Sequence, residues 1–149
     1  MAPDRVVLDS SFILESILPT TIQLKRQADA LIADLASGDL RAVAPWIFFP
    51  EVAAVCARAV RGRRLTAGDA AEFLDLLPQL GLDTEFKLEP PLAIFQASMR
   101  TGAQAYDSMY LVLAEAMGWP IASIDGGMKT AARALNIPVF ESRRTQTRQ

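Results

Sequence analysis

The sequence contains no histidine and only one cysteine among its 149 residues. Without histidine, Ser-His-Asp and Cys-His nucleophile systems, imidazole acid–base catalysis and histidine-rich zinc sites are all excluded. Cys56 alone can hold neither a cysteine-rich zinc site nor an iron–sulfur cluster within the chain, and it has no partner for an internal disulfide. Any chemistry on this chain therefore depends on carboxylates, hydroxyls, amines and a bound hard cation.

Other common signals are also missing. No apolar run approaches the roughly 18 residues that span a bilayer, and the N-terminus lacks the pattern of a signal peptide, so we expect a cytoplasmic protein without a membrane role. Neither a Gly-x-x-x-x-Gly-Lys phosphate loop nor a Gly-x-Gly-x-x-Gly fingerprint occurs. The formal charge of −2, from 17 acidic and 15 basic residues, is no global signature of nucleic-acid binding.

Length and composition are those of one globular domain, with 51% hydrophobic and 21% charged residues. Short apolar runs at 6–8, 41–45, 82–86, 121–124 and 138–141 alternate with helical patterns at 22–36, 46–61, 67–77, 90–100, 106–117 and 128–135. Such alternation predicts a mostly parallel sheet of about five strands in a three-layer α/β/α sandwich. We predict a single domain over residues 1–142 and a polar, flexible tail over 143–149.

Two of the predicted strands end at an aspartate. Asp9 directly follows the run at 6–8, and Asp125 directly follows the run at 121–124. Open α/β sheets bind ligands at the carboxyl ends of their strands, so both acids are candidate site residues. A helix N-cap is the alternative for Asp9, because Asp, Ser and Thr are favoured there. Threonines at 20 or 21 and at 66 are predicted caps of the helices that follow them.

Two further acids could join this pair. Glu51 lies near the start of the helix after the second strand, hence at the same edge of the sheet. Asp107 follows a helix–helix connection, so the sequence does not determine at which edge of the sheet it lies. Four converging carboxylates would repel one another, and Mg²⁺ or Mn²⁺ would remove that repulsion. Ser11 and Ser123 could orient the carboxylates or bound waters, with turn or cap bonds as the alternative.

The segments that carry these residues occur in order at 7–11, 50–55, 106–114 and 121–125. They read Val-Leu-Asp-Ser-Ser, Pro-Glu-Val-Ala-Ala-Val, Tyr-Asp-Ser-Met-Tyr-Leu-Val-Leu-Ala and Ile-Ala-Ser-Ile-Asp. With the apolar pattern at 131–139, they resemble the PIN-domain family, and in particular the VapC-type toxins of toxin–antitoxin pairs. The resemblance extends over about residues 5–141.

This resemblance implies a PIN-like fold and a metal-dependent endoribonuclease that uses Mg²⁺, with Mn²⁺ as a possible substitute. Asp9, Glu51, Asp107 and Asp125 would form its acidic quartet, with the cation held mainly by Asp9 and Asp107. Ser11 and Ser123 would be the polar support. Implied partners are an RNA substrate, a second copy in a homodimer and a small antitoxin protein. Many relatives carry a further acid where this chain has Gly127, so a second metal would be held more weakly.

Arginines after Glu51 are candidate RNA contacts. Arg58 lies seven positions after Glu51, nearly on the same helical face, and Arg61 follows three positions later. An RNA strand with a phosphate near the metal could therefore reach both arginines. The alternative is that they only complement the C-terminal end of their helix. Tyr106, Tyr110 and Trp46 could stack on bases or could be core residues.

The main alternative function is a non-catalytic α/β binding or signalling module with an acidic pocket at its strand ends. A signalling receiver would need paired acids near the first strand and a lysine at the last. Here a single acid, Asp9, follows the first strand, and the last offers Glu141. A phosphatase of the haloacid dehalogenase type would need Asp-x-Asp, but position 11 is serine. A third alternative is a toxin-like fold that has lost catalysis and only binds a partner, and the presence of all four acids counts against it.

Overall fold

The apolar run at 6–8 lies in an interior strand of a parallel sheet. The computed structural model describes residues 4–85 and 89–141. Its strands are β1 (Arg5–Leu8), β2 (Arg41–Pro45), β3 (Asp83–Glu85) and β4 (Ile121–Ala122), in the order β3-β2-β1-β4 with every pair parallel. The central position of β1 explains its continuous apolar run, because side chains on both faces of a parallel sheet are buried.

Seven α-helices lie in the described part of the chain. They are α1 (Ser10–Leu14), α2 (Ile22–Ser37), α3 (Phe48–Arg61), α4 (Ala67–Leu76), α5 (Pro91–Thr101), α6 (Ala105–Met117) and α7 (Gly126–Ala134), with a 3-10 turn at Leu77–Leu80. The predicted caps are confirmed. Thr21 accepts a hydrogen bond from the backbone of Leu24 at 3.2 Å, and Thr66 accepts one from Asp69 at 3.1 Å.

The helices cover the sheet in three layers. α6 packs against β1, β2 and β4 with α5 and α7 beside it, whereas α1 packs against α2 and α3, and α3 against α4. The predicted three-layer α/β/α sandwich is therefore confirmed. Its core contains fully buried large side chains from both helix groups and from the sheet, including Phe48, Leu111 and Ile121. In the described ranges, no helix combines the length and the apolar character needed to cross a membrane.

The prediction of about five strands is wrong in number. Four strands are found in the described residues, and the segment predicted as the fifth, 138–141, contributes only an isolated parallel bridge between Val139 and Ile121. β4 is also shorter than predicted. Beyond Ala122 the backbone N–H groups of Ile124 and Asp125 donate to serine hydroxyls rather than to a neighbouring strand. The sheet pairing stops because this segment turns towards side chains.

Element boundaries differ elsewhere by one or two residues. α3 begins at Phe48 rather than at residue 46, and α7 begins at Gly126 rather than at residue 128. The early start of α7 follows from Asp125, whose carboxylate accepts the backbone N–H of Gly127 at 3.2 Å and caps the helix. Residue 86 of the predicted third strand and the predicted tail at 143–149 lie outside the described residues.

One buried hydroxyl leads to a stability prediction. Ser108 on α6 is fully buried, and its hydroxyl has no hydrogen-bond partner among the described residues. Removing an unpaired buried polar group is stabilising, so Ser108→Ala should raise the free energy of unfolding by about 1 kcal/mol in urea denaturation. Ser98→Ala is the matched control, because that hydroxyl donates to the carbonyl of Ala103 and its loss should destabilise. A less stable Ser108→Ala protein contradicts the argument.

Candidate functional site

Asp9 occupies the N-cap position of α1 but does not act as its cap. Its backbone is extended, as at an N-cap, yet its side chain makes no capping hydrogen bond. Instead, its Oδ2 accepts two hydrogen bonds of 2.7 Å, one from the hydroxyl of Ser11 and one from the hydroxyl of Ser123. Asp9 as a whole residue is 5% exposed. The cap interpretation is therefore wrong, and this buried acid is held by two hydroxyl donors.

The two serines also fix the segment that follows β4. Their oxygens lie 3.3 Å apart, and because each hydroxyl gives its single proton to Asp9, each can accept from the backbone. The N–H of Asp125 donates to Ser123 at 3.0 Å, and the N–H of Ile124 approaches Ser11 at 3.4 Å. The Asp9 cluster (Asp9, Ser11 and Ser123) thus ties the ends of two adjacent strands together and brings Asp125 to the same edge.

Burial and mutual repulsion act on the acids of this edge. Burial raises the pKa of Asp9, the two serine hydroxyls oppose that shift, and the charge of Asp125 adds to it. Burial is also the main cause of the raised pKa of Asp107, and the charges of Asp9 and Asp125 contribute further. Asp107, whose edge the sequence left open, therefore lies within electrostatic range of both strand-end acids.

Glu51 completes the set from α3. Its pKa is raised by burial and by the charges of Asp9 and Asp107, and a hydrogen bond from Tyr110 opposes the rise. All four predicted acids are thus electrostatically connected at one edge of the sheet. The connection runs from the buried Asp9, through the half-buried Glu51 and Asp107, to the exposed Asp125.

Tyr110 holds Glu51 in place. The tyrosine is fully buried on α6, and its hydroxyl donates a 2.5 Å hydrogen bond to Oε1 of Glu51 on α3. Burial and the neighbouring carboxylate raise the pKa of Tyr110 far above its ordinary value, so it remains a proton donor. Base stacking is excluded for this buried ring, whereas Tyr106 is 65% exposed. Sequence reasoning missed the role, although Tyr110 follows Asp107 by three residues on one helical face.

This contact can be tested by removing a single oxygen. Tyr110→Phe should lower the free energy of unfolding by about 1.5 kcal/mol at neutral pH, because Glu51 loses a donor to a charged group. Thermal or urea unfolding measures the change. Tyr106→Phe is the matched control, since it makes the same substitution on the same helix at an exposed position. Equal stability of the two variants contradicts the positioning role.

A cleft opens beside the acids. Asp107 and Asp125 line a cavity of about 520 Å³ together with the α5–α6 connection and the start of α7. Carboxylates therefore form part of the wall of a solvent-accessible space that a ligand can enter. The acids deeper in the protein, Asp9 and Glu51, are not among its lining residues.

The acids fit a hard divalent cation by their chemistry. All are oxygen ligands, and a cation would remove the repulsion that raises their pKa values. Within residues 4–85 and 89–141, no three His, Cys, Asp or Glu side chains are arranged as a group that could hold a metal ion.

The structure does not place the two predicted RNA-contacting arginines among the acids. Arg58 and Arg61 lie exposed in the last turn of α3. Glu51 lies in the first turn of the same helix, so a rise of 1.5 Å per residue separates the Cα atoms of Glu51 and Arg61 by about 15 Å. RNA bound by these arginines would therefore lie at a distance from the acids.

Comparisons with known proteins support the fold. No protein-family profile matches the sequence, and neither does any curated protein. The crystal structure of PAE2754 from Pyrobaculum aerophilum is similar, with a TM-score of 0.63 and 17% sequence identity over 88% of this chain and 87% of that chain. A likeness at this identity shows a shared α/β architecture and carries no information about activity.

Proposed function

We propose that this protein is a metal-dependent endoribonuclease of the PIN-domain type that acts as the toxin of a type II toxin–antitoxin pair. The observation that carries the proposal is the buried Asp9, held by Ser11 and Ser123, with three more acids in electrostatic range. The same residues carry the resemblance to VapC-type toxins in the sequence, and the three-layer fold is consistent with it.

Phosphodiester chemistry explains why such a site needs a cation. RNA phosphates and the carboxylates of the site are both negative, so the site without a cation repels its substrate. When bound, Mg²⁺ or Mn²⁺ neutralises charge on the phosphodiester and makes water a stronger nucleophile near neutral pH. Asp9 and Asp107 would be its main ligands, and Glu51 and Asp125 would complete the donor set.

The remaining residues of the site orient these ligands. Ser11 and Ser123 fix one oxygen of Asp9, and Tyr110 fixes one oxygen of Glu51. The cleft beside Asp107 and Asp125 gives a phosphodiester access to the site. Because the chain lacks histidine, water rather than an imidazole would protonate the leaving oxygen.

The toxin proposal also includes protein partners in the cytoplasm. A small antitoxin would cover the acidic cleft, and a basic side chain would complement Asp107 and Asp125. A homodimer would need an apolar surface, and α5 offers Leu92, Phe95 and Met99, which are 59–71% exposed at i, i+3 and i+7 spacing. Size-exclusion chromatography with light scattering measures the assembly state.

Incubation with structured RNAs tests the enzymatic proposal. We expect internal cleavage with Mg²⁺ or Mn²⁺ and none in EDTA, with cleavage restored when the cation is added back. Undiminished cleavage in EDTA would eliminate the metal-dependent mechanism. RNA that stays intact with either cation, together with cation binding by the protein, would favour the non-catalytic binding module instead.

A further inference from the structure

A second groove lies where α3 meets α4. This corner groove, of about 630 Å³, is bounded by the segment after α1, the end of α3 and the start of α4. Leu18, Val60 and Leu65 give it an apolar wall, and Arg63, Arg64 and Asp69 are its charged lining residues. It shares no lining residue with the acidic cleft described above.

Arg63 adopts a backbone conformation that usually belongs to glycine. Its φ is +57°, in the left-handed region, whereas the preceding Gly62 has an ordinary φ of −81°. The N–H of Arg63 donates to the carbonyl of Val60 at 3.0 Å, and that of Arg64 donates to Ala59 at 2.8 Å, which is the Schellman arrangement at a helix end. An arginine thus occupies the position where glycine carries no steric penalty.

Positive charge is concentrated around this corner. Arg58, Arg61, Arg63 and Arg64 are all exposed, and none of them forms a salt bridge with an acid of the described ranges. Asp69 is the single acid that lines the groove with them. Guanidinium groups bind phosphates through paired hydrogen bonds, and an aliphatic wall can cover the uncharged face of a ribose or base.

We propose that the corner groove is a phosphodiester-binding subsite for single-stranded RNA, a proposal that rests on the ribonuclease function proposed above. Arg63 and Arg64 bind backbone phosphates there, and the left-handed backbone of Arg63 occurs at a residue whose side chain lines the groove.

The layout of two helices links the groove to the acids. α1 starts directly after Asp9, and α3 carries Glu51 in its first turn. The segments that follow the C-terminal ends of α1 and α3 line the corner groove, and the two helices pack against each other. Arg58 and Arg61 lie on α3 between the acids and the groove. An RNA strand at the acids therefore meets positive charge at successive positions along α3.

Binding in EDTA separates this subsite from cleavage. The probe is a fluorescently labelled single-stranded RNA, measured by anisotropy at several salt concentrations. Arg63→Gln combined with Arg64→Gln should weaken binding about tenfold. It should also reduce the slope of log affinity against log salt concentration by about 1.4, because each of the two lost phosphate contacts contributes about 0.7. Arg133→Gln, which removes one exposed arginine from α7, is the control and should change neither value substantially. Wild-type affinity and slope in the double variant would overturn the proposal.

Arg63→Gly supplies a second and opposite readout. Glycine relieves the left-handed strain, so Tm should rise by about 2 °C while RNA affinity falls. A merely structural role for Arg63 predicts no loss of affinity in this better-folded variant, and that result would overturn the proposal. So would unchanged RNA binding accompanied by lost binding of an acidic amphipathic peptide, because the groove would then serve a protein partner.

Failure of the subsite and failure of the proposed enzyme give different results. If the protein cleaves RNA with Mg²⁺ and the wild type and the double variant bind RNA equally, the subsite proposal is contradicted and the enzyme proposal is not. If RNA binds through Arg63 and Arg64 but is not cleaved with Mg²⁺ or Mn²⁺, the proposed ribonuclease activity is contradicted and RNA binding in the corner groove is supported.

Discussion

Asp9→Asn should reduce RNA cleavage by about 10³-fold while the protein remains folded. The expected size follows from the several kcal/mol that a cation contributes to charge stabilisation, at 1.36 kcal/mol per factor of ten. Asparagine keeps the shape of Asp9 and an oxygen that can accept from Ser11 and Ser123. It removes the negative charge that a cation needs. The measurement is the initial rate of RNA cleavage at saturating Mg²⁺.

Folding of this variant must be measured beside its activity. Because burial raises the pKa of Asp9, replacing the charged form with a neutral amide should leave thermal stability equal or higher. Asp75→Asn is the matched control, because it makes the same change at an exposed position on α4 and should retain wild-type cleavage. Cleavage by folded Asp9→Asn at the wild-type rate would show that the buried carboxylate has no part in the reaction.

The second large effect is that divalent cations should oppose the loss of stability that the site acids cause as pH rises. In EDTA, the raised pKa values of Asp9, Glu51 and Asp107 mean that the folded state binds protons more tightly than the unfolded state. Their stabilising contribution is complete below the ordinary pKa values of 3.8 for Asp and 4.5 for Glu. It is lost as pH rises through the higher folded-state values.

Magnesium should oppose that loss, because the cation binds the ionised acids of the folded protein. At a free concentration of 100 times Kd, it adds about 2.7 kcal/mol to the free energy of unfolding. Urea denaturation from mildly acidic to neutral pH, with EDTA or Mg²⁺ at matched ionic strength, measures both trends. Asp107→Asn should lose most of the Mg²⁺ effect. Parallel pH profiles with and without the cation would contradict a metal site at these acids.

Much of the site could be predicted because three acids occupy positions that topology determines. Asp9 directly follows β1, Asp125 follows β4 by three residues, and Glu51 lies in the first turn of the helix after β2, so all three belong to the same edge. Asp107 could not be placed this way, because α5 and α6 are joined without a strand between them. Its position depends on how α6 packs across β1, β2 and β4, which is a tertiary property.

What the sequence did not predict depends on contacts between distant side chains. Tyr110 is a core residue, which is one of its two sequence interpretations, but the sequence does not predict that its buried hydroxyl reaches Glu51 across 59 positions of the chain. The fifth strand was predicted from the apolar residues around Val139. Pairing there is limited to one bridge, because β4 ends where Ser123 turns towards Asp9. The helix or strand propensity of single residues predicts neither the Tyr110–Glu51 hydrogen bond nor the early end of β4.

The hydrogen bond from Ser123 to Asp9 joins residues 114 positions apart, so it forms only after the chain has been synthesised beyond Ser123. A nascent polypeptide that ends before β4 contains Asp9 but lacks Ser123 and Asp125. Under the proposed ribonuclease function, products terminated before β4 should therefore be inactive.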